Sequence, residues 1–209
     1  MMKGNGKVIF VVLIFFVMLL QREAGALVVI NEILADPATG LSRDANGDGV
    51  GSSTQDEFVE ILNLDPHPFD ISGWFINDAV KTRHVFPAGT MLLSYQYLAV
   101  FGGGTPVLPG IRFQTASSGA LSLNNTNEDV FLYDQTGVLI GHVFYGAEGG
   151  KDQSIVRFPE GTGSDFVLHS SLPEAQGRLF SPGQSVDGEL RYKASVPELP
   201  VIFILPEGH

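Results

Sequence analysis

Apolar residues recur along this chain in short runs, broken by turn-forming residues and alternating at a period of two rather than at helical spacing. Two runs set the pattern, LVVINEIL (Leu27–Leu34) and EFVEILN (Glu57–Asn63). In the second, Phe58, Glu60 and Leu62 share one face while Val59 and Ile61 share the other, which predicts a strand buried on at least one side. Asp65-Pro66-His67-Pro68 forces a turn, and Ile71–Ile76 restarts a strand with the single tryptophan, Trp74, near its beginning. Further strands are predicted at Arg83–Phe86, Tyr97–Phe101, Ala120–Leu123, Asp129–Asp134, Val138–Tyr145, Ser154–Phe158 and Phe166–His169. Gln135-Thr136-Gly137 predicts a tight hairpin connection, with glycine free to take positive φ. No helical stripe of useful length follows residue 26, and no segment repeats at a fixed period. Short strands at this spacing predict an all-β sandwich or barrel of antiparallel strands.

The first 26 residues have a different character. Lys3 and Lys7 precede an unbroken apolar run from Val8 to Leu20, and Ala24-Gly25-Ala26 then supplies a small-x-small pattern. That order predicts a cleaved export signal, because a helix of this run reaches only about 20 Å, short of the roughly 30 Å of a bilayer core. The expected domain therefore spans 27–182. Beyond about Ser181 the pattern decays, and 183–209 is expected to be a flexible tail. The expected location is secreted or in the cell envelope or periplasm.

Composition narrows the chemistry. With 25 glycines, 12 prolines and only 4 methionines, the chain suits a turn-rich β protein. It has no cysteine, which removes disulfides and thiolate zinc sites and leaves the core, or a bound ion, to hold an exported fold. Removing residues 1–26 takes away Lys3, Lys7, Arg22 and Glu23, so the net charge moves from −11 to −13. Such a surface repels phosphate backbones and attracts cations, so nucleic acid is not an expected direct partner.

The first long loop concentrates oxygen ligands. It reads Asp44-Ala45-Asn46-Gly47-Asp48-Gly49-Val50-Gly51, and Asp44, Asn46 and Asp48 alternate so that their side-chain oxygens can converge on a hard cation such as calcium. The Val50 carbonyl and Asp56 complete the expected shell, with Asp36 able to join if the chain doubles back after Pro37. The flanks are strand-like and the twelfth loop position is Gln55, so this is not an EF-hand. The expected ion is structural: it ties the loop and neutralises crowded carboxylates. A solvated Asn/Asp/Gly loop without metal is the alternative.

Several segments together resemble a lamin-tail domain in its bacterial secreted form. They are Val29–Ile33, Asp44–Gly49, Asp56–Asn63, Asp70–Trp74, Phe86–Thr90 before a strand ending Phe101-Gly102, and Asn124–Val130 leading into Leu132-Tyr133-Asp134. The resemblance covers roughly Leu27 to Pro182. It implies an immunoglobulin-like β-sandwich that serves exported proteins as an interaction or structural module, with no catalysis of its own. The partner expected on that reading is an unidentified protein or envelope component, without stable membrane insertion once the leader is removed. Near the C-terminus, Val196-Pro197-Glu198 is similar to the start of a PEP-CTERM sorting tail, but Leu199 stands where proline is expected and the apolar stretch after it is short.

Two other function classes stay open. Glu32, Glu57 and Glu60 lie in apolar runs and could act as paired carboxylates of a metal-dependent hydrolase on phosphoesters or glycans. More ordinary roles are projection from a solvated strand face or acceptance of backbone hydrogen bonds, and no substrate-positioning set accompanies them. His67, His84, His142, His169 and His209 are scattered without zinc spacing, no Gly-x-Ser-x-Gly elbow occurs, and Gly102-Gly103-Gly104 lacks the lysine of a phosphate loop. The remaining class is a plain cell-surface spacer.

Overall fold

A computed structural model describes residues 28–38 and 43–191. The expected leader and the sorting-like Val196-Pro197-Glu198 lie outside the described residues. The strands, in chain order, are β1 (Val28–Leu34), β2 (Phe58–Asn63), β3 (Phe69–Asp70), β4 (Phe75–Asn77), β5 (Thr82–Val85), β6 (Met91–Leu92), β7 (Tyr97–Phe101), β8 (Phe113–Thr115), β9 (Glu128–Tyr133), β10 (Leu139–Tyr145), β11 (Ile155–Phe158) and β12 (Asp165–Leu168). They form a six-stranded sheet in the order β12-β11-β1-β2-β7-β8, a four-stranded sheet β10-β9-β4-β5, and the small pair β3-β6. Every pairing is antiparallel except β7 with β8. The expected immunoglobulin-like β-sandwich is the fold observed. Helix among the described residues is confined to short 3-10 turns, and none is long and apolar enough to cross a membrane.

The sandwich interior follows from the alternation. Val59 and Ile61 of β2 and Leu98 and Val100 of β7 point inward, against Ile76 of β4, Val130 and Leu132 of β9, and Val143 and Tyr145 of β10. Trp74 plugs one end, its ring edge-on to Phe69 at 5.5 Å. Ile30 and Ile33 of β1 both belong to this core although an odd step separates them. A bulge between Ile30 and Glu32 inserts Asn31 and shifts the parity, so Glu32 and Leu34 turn to the opposite face.

That opposite face of the six-stranded sheet is also covered. Leu34, Phe58, Ala99 and Phe101 pack with Ala45, Leu108, Phe113 and Phe180, and Val156 packs with Ala175 and Val186. The covering layer includes residues expected to be tail: Gly183, Ser185 and Val186 are buried. The reason is polar. Glu32 and Glu60 are fully buried on this face, and the returning chain supplies their donors. Other departures are local: Ala120–Leu123 is irregular, with Leu121 and Leu123 filling the core, and β3, β6 and β8 are too short to register in an apolar pattern.

A chain ending at Phe180 removes the Ser181 and Gly183 donors, leaving Glu32 with Ser154 and Glu60 with Asn31, and takes away the Val186 packing. Urea unfolding is expected to show it at least about 3 kcal/mol less stable than a chain ending at Arg191.

Candidate functional site

The acidic loop lies between β1 and β2 and closes on itself through backbone amides. Asp44 accepts from the N–H of Asp48 (3.2 Å) and Gly49 (2.7 Å), and Asn46 Oδ1 accepts from Asp48 at 3.0 Å. Asp48 Oδ1 accepts from Val50 (2.9 Å), and its Oδ2 reaches across to the Thr105 N–H (3.1 Å). Asp56, fully buried, accepts from the N–H of Asn46 (2.9 Å) and Ser52 (2.6 Å). Burial, with the nearby Asp44 charge adding to it, raises the Asp56 carboxyl above its ordinary value against those hydrogen bonds.

Four of the six expected ligands, Asp44, Asn46, Asp48 and Asp56, therefore join one network. Val50 enters it through its N–H rather than its carbonyl, with its side chain exposed. Asp36 does not enter: it accepts from Asn125 Nδ2 at 2.6 Å elsewhere. Among the described residues no group of three or more Asp, Glu, His or Cys side chains is arranged as a metal centre. The side-chain acceptors in the network are all oxygens, the atom type that hard cations take.

The role of Gly102-Gly103-Gly104 is packing against this loop. Gly103 N–H donates to the Gln55 carbonyl at 3.1 Å, and Asn46 Nδ2 donates to the Gly103 carbonyl at 3.3 Å. A Cβ on Gly104, which sits at φ 77°, would lie 2.5 Å from both Asn46 Nδ2 and Asp48 Oδ2. Replacing Gly104 with alanine combines that collision with a left-handed backbone. A loss of more than about 1 kcal/mol in a denaturation series is expected.

The glutamates of the apolar runs are buried, and none sits on a solvated face. Glu32 accepts from Ser154 Oγ (2.5 Å), the Ser181 N–H (2.9 Å) and Ser181 Oγ (2.7 Å). Glu60 accepts from Asn31 Nδ2 (3.0 Å) and the Gly183 N–H (2.6 Å), and burial beside the Glu32 charge pushes its carboxyl well up. His169 Nε2 lies 3.0 Å from Ser181 Oγ, but both residues are buried, and the serine faces Glu32 rather than a cleft. Sequence reasoning missed this cluster because its donors are 122 and 149 residues from Glu32.

A second unanticipated feature is a cleft beside β2 and β7. Glu160 accepts there from Tyr97 Oη and the Val186 N–H, both at 3.2 Å, next to Tyr95, Leu64 and Arg191.

The family model of the Lamin Tail Domain matches residues 21–147, more than half of the chain. The chain belongs to the lamin tail domain family. The matched span runs through β10, so β11, β12 and the covering segment that serves Glu32 and Glu60 lie beyond it. No curated protein matches the chain.

Glu57 gives this lamin tail domain a pH dependence. Its Oε2 accepts from the Leu123 N–H at 3.3 Å, and burial raises its carboxyl from 4.5 to about 7. The folded state then holds a proton that the unfolded chain releases, so the stability contributed by this group is full below about pH 4.5 and is lost as pH rises through 7. Glu60 adds in the same direction. Denaturation midpoints should therefore drop between about pH 5 and pH 8, and the drop should be smaller in Glu57→Gln.

Proposed function

We propose that this lamin tail domain is an exported, non-enzymatic interaction or structural module whose acidic loop is stiffened by calcium. The observation that carries the reading is that the acidic side chains of its apolar runs and of its first loop are turned onto the chain itself, fastening backbone amides. Groups arranged that way hold a scaffold rather than present an acid and a base to substrate. The basic, apolar, small-residue order of residues 1–26 supports export to the envelope or beyond. The partner is an envelope component or another protein, approached through a surface of net negative charge.

Calcium would be held by Asp44, Asn46, Asp48 and Asp56, and its chemistry there is neutralisation of three carboxylates confined to one loop. Extracellular modules work at dissociation constants of about 10⁻⁴–10⁻³ M, and a tenfold excess, about 1 mM calcium over the tighter of these, contributes about 1.4 kcal/mol. The thermal midpoint is expected to rise by several degrees in millimolar calcium relative to chelator, and Asp44→Ala/Asp48→Ala should abolish the rise. Identical melts would remove calcium from the reading. Metal-dependent turnover of generic phosphoester or glycoside substrates, lost in Asp44→Ala, would replace the module with a hydrolase.

A further inference from the structure

Three of the four outer strands of the two main sheets are short or guarded. β5 contains Arg83, which is turned inward onto Asp78, and the Ser117-Ser118 segment covers it: Ser118 N–H donates to the Arg83 carbonyl (3.1 Å) and Val85 N–H to Ser117 Oγ (2.9 Å). β8 spans three residues, and β12 spans four and opens on Asp165. β10 differs. It spans seven residues, among the described residues it hydrogen-bonds as a strand only to β9, and no Asp, Glu, Lys, Arg or Pro occurs from Gly137 to Gly146. Val138 (57 %), Leu139 (51 %) and Phe144 (58 %) are among the most exposed large apolar side chains. Natural proteins blunt a free edge with charge, proline, a bulge or cover, because its unpaired N–H and C=O groups template another strand. The bulge in β10, between Leu139 and Gly141, leaves His142–Tyr145 regularly paired to β9.

The surface around β10 is prepared for one. On the outward face of its sheet, Phe75 stacks on Tyr133 (5.1 Å), Tyr133 on Phe131 (6.0 Å) and Phe131 on His142 (4.6 Å). His142 Nε2 is held by Asp129 at 2.6 Å. This ladder fixes the sheet face and ends at β10. Along the free edge runs a groove of about 410 Å³ between β10 and β12, lined by His142, Phe144, Glu148, Ser164, Asp165 and Phe166. Among the described residues neither Glu148 nor Asp165 has a cationic partner in an ion pair. Arg157, stacked on Phe166 at 4.8 Å, directs its N–H groups to the carbonyls of Ile30 and Gly163.

We propose that β10 is a docking edge for an extended, cationic segment of a partner protein, which adds as a fifth strand to the four-stranded sheet. Backbone hydrogen bonds to β10 supply adhesion, and apolar side chains of the segment continue the row beyond His142 and Phe144. Alternating lysine or arginine side chains enter the groove toward Glu148 and Asp165. The acidic chain, with net charge −11, favours a basic partner and disfavours a second copy of itself. This inference rests on the interaction-module reading above and gives that module its partner class.

The test uses the full chain and an end-blocked, fluorescein-labelled synthetic peptide of alternating lysine and valine. Fluorescence anisotropy is expected to show saturable binding, weakened about tenfold or more by Phe144→Lys and by Glu148→Lys/Asp165→Lys, with melting curves confirming that both variants fold. Amide hydrogen exchange should slow across β10 when the peptide is present and stay unchanged in β5. Absence of binding, equal binding of a glutamate–valine peptide, indifference to both variants, or unchanged exchange in β10 would each overturn the proposal. Self-association abolished by Phe144→Lys would assign the edge to a second copy instead. Failure here leaves the module reading standing, whereas substrate turnover would remove that reading without altering the exchange result.

Discussion

Two carboxylates in the middle of adjacent central strands govern how this chain folds. Glu32 on β1 and Glu60 on β2 are register partners, both fully buried and both on the face of the six-stranded sheet that points away from the sandwich core. Removing such groups from water costs several kcal/mol each unless donors replace the lost hydration. The donors come from the bulge residue Asn31, from Ser154 ahead of β11, and from Ser181 and Gly183 in the segment that crosses back over the sheet. The crossing segment is therefore tied to the fold by electrostatics as well as by its own apolar contacts through Val186 and Ala175.

The same device recurs at the rim. Asp44, Asp48 and Asp56 accept amides from within their own loop and from Thr105, so the polar loop between β1 and β2 is held to the glycine run after β7. The middle and one end of the central strands are thus pinned by side chains that a sequence reader associates with catalysis or metal binding. A carboxylate fastening several N–H groups is a rigid joint, which suits a domain whose task is to present a surface.

Rigidity in one sheet leaves the other available. The six-stranded sheet is buried on both faces, while the four-stranded sheet turns an aromatic ladder and the long strand β10 toward solvent. The asymmetry follows from where the covering segment goes: it is drawn to the face that carries Glu32 and Glu60. The opposite side keeps Leu139 exposed, and Phe144 exposed beside acidic Glu148 and Asp165.

Local alternation determined the strand framework, because a period of two with glycine and proline breaks constrains the backbone whatever surrounds it. β2, β7, β9, β10 and the Gln135–Gly137 turn follow from it to within a residue or so, and the ordered motifs from Val29 to Asp134 carried the family. The oxygen-rich loop was legible as residues, Asp44, Asn46, Asp48 and Asp56, but not in the direction their oxygens face. Only the tertiary structure decided that Asp36 belongs with Asn125, that Glu32 and Glu60 lie on a buried face, and that Gly183 and Val186 are part of the fold. The reason is separation along the chain. A carboxylate is read as solvated, catalytic or structural according to its donors, and here those donors arrive from segments more than a hundred residues away.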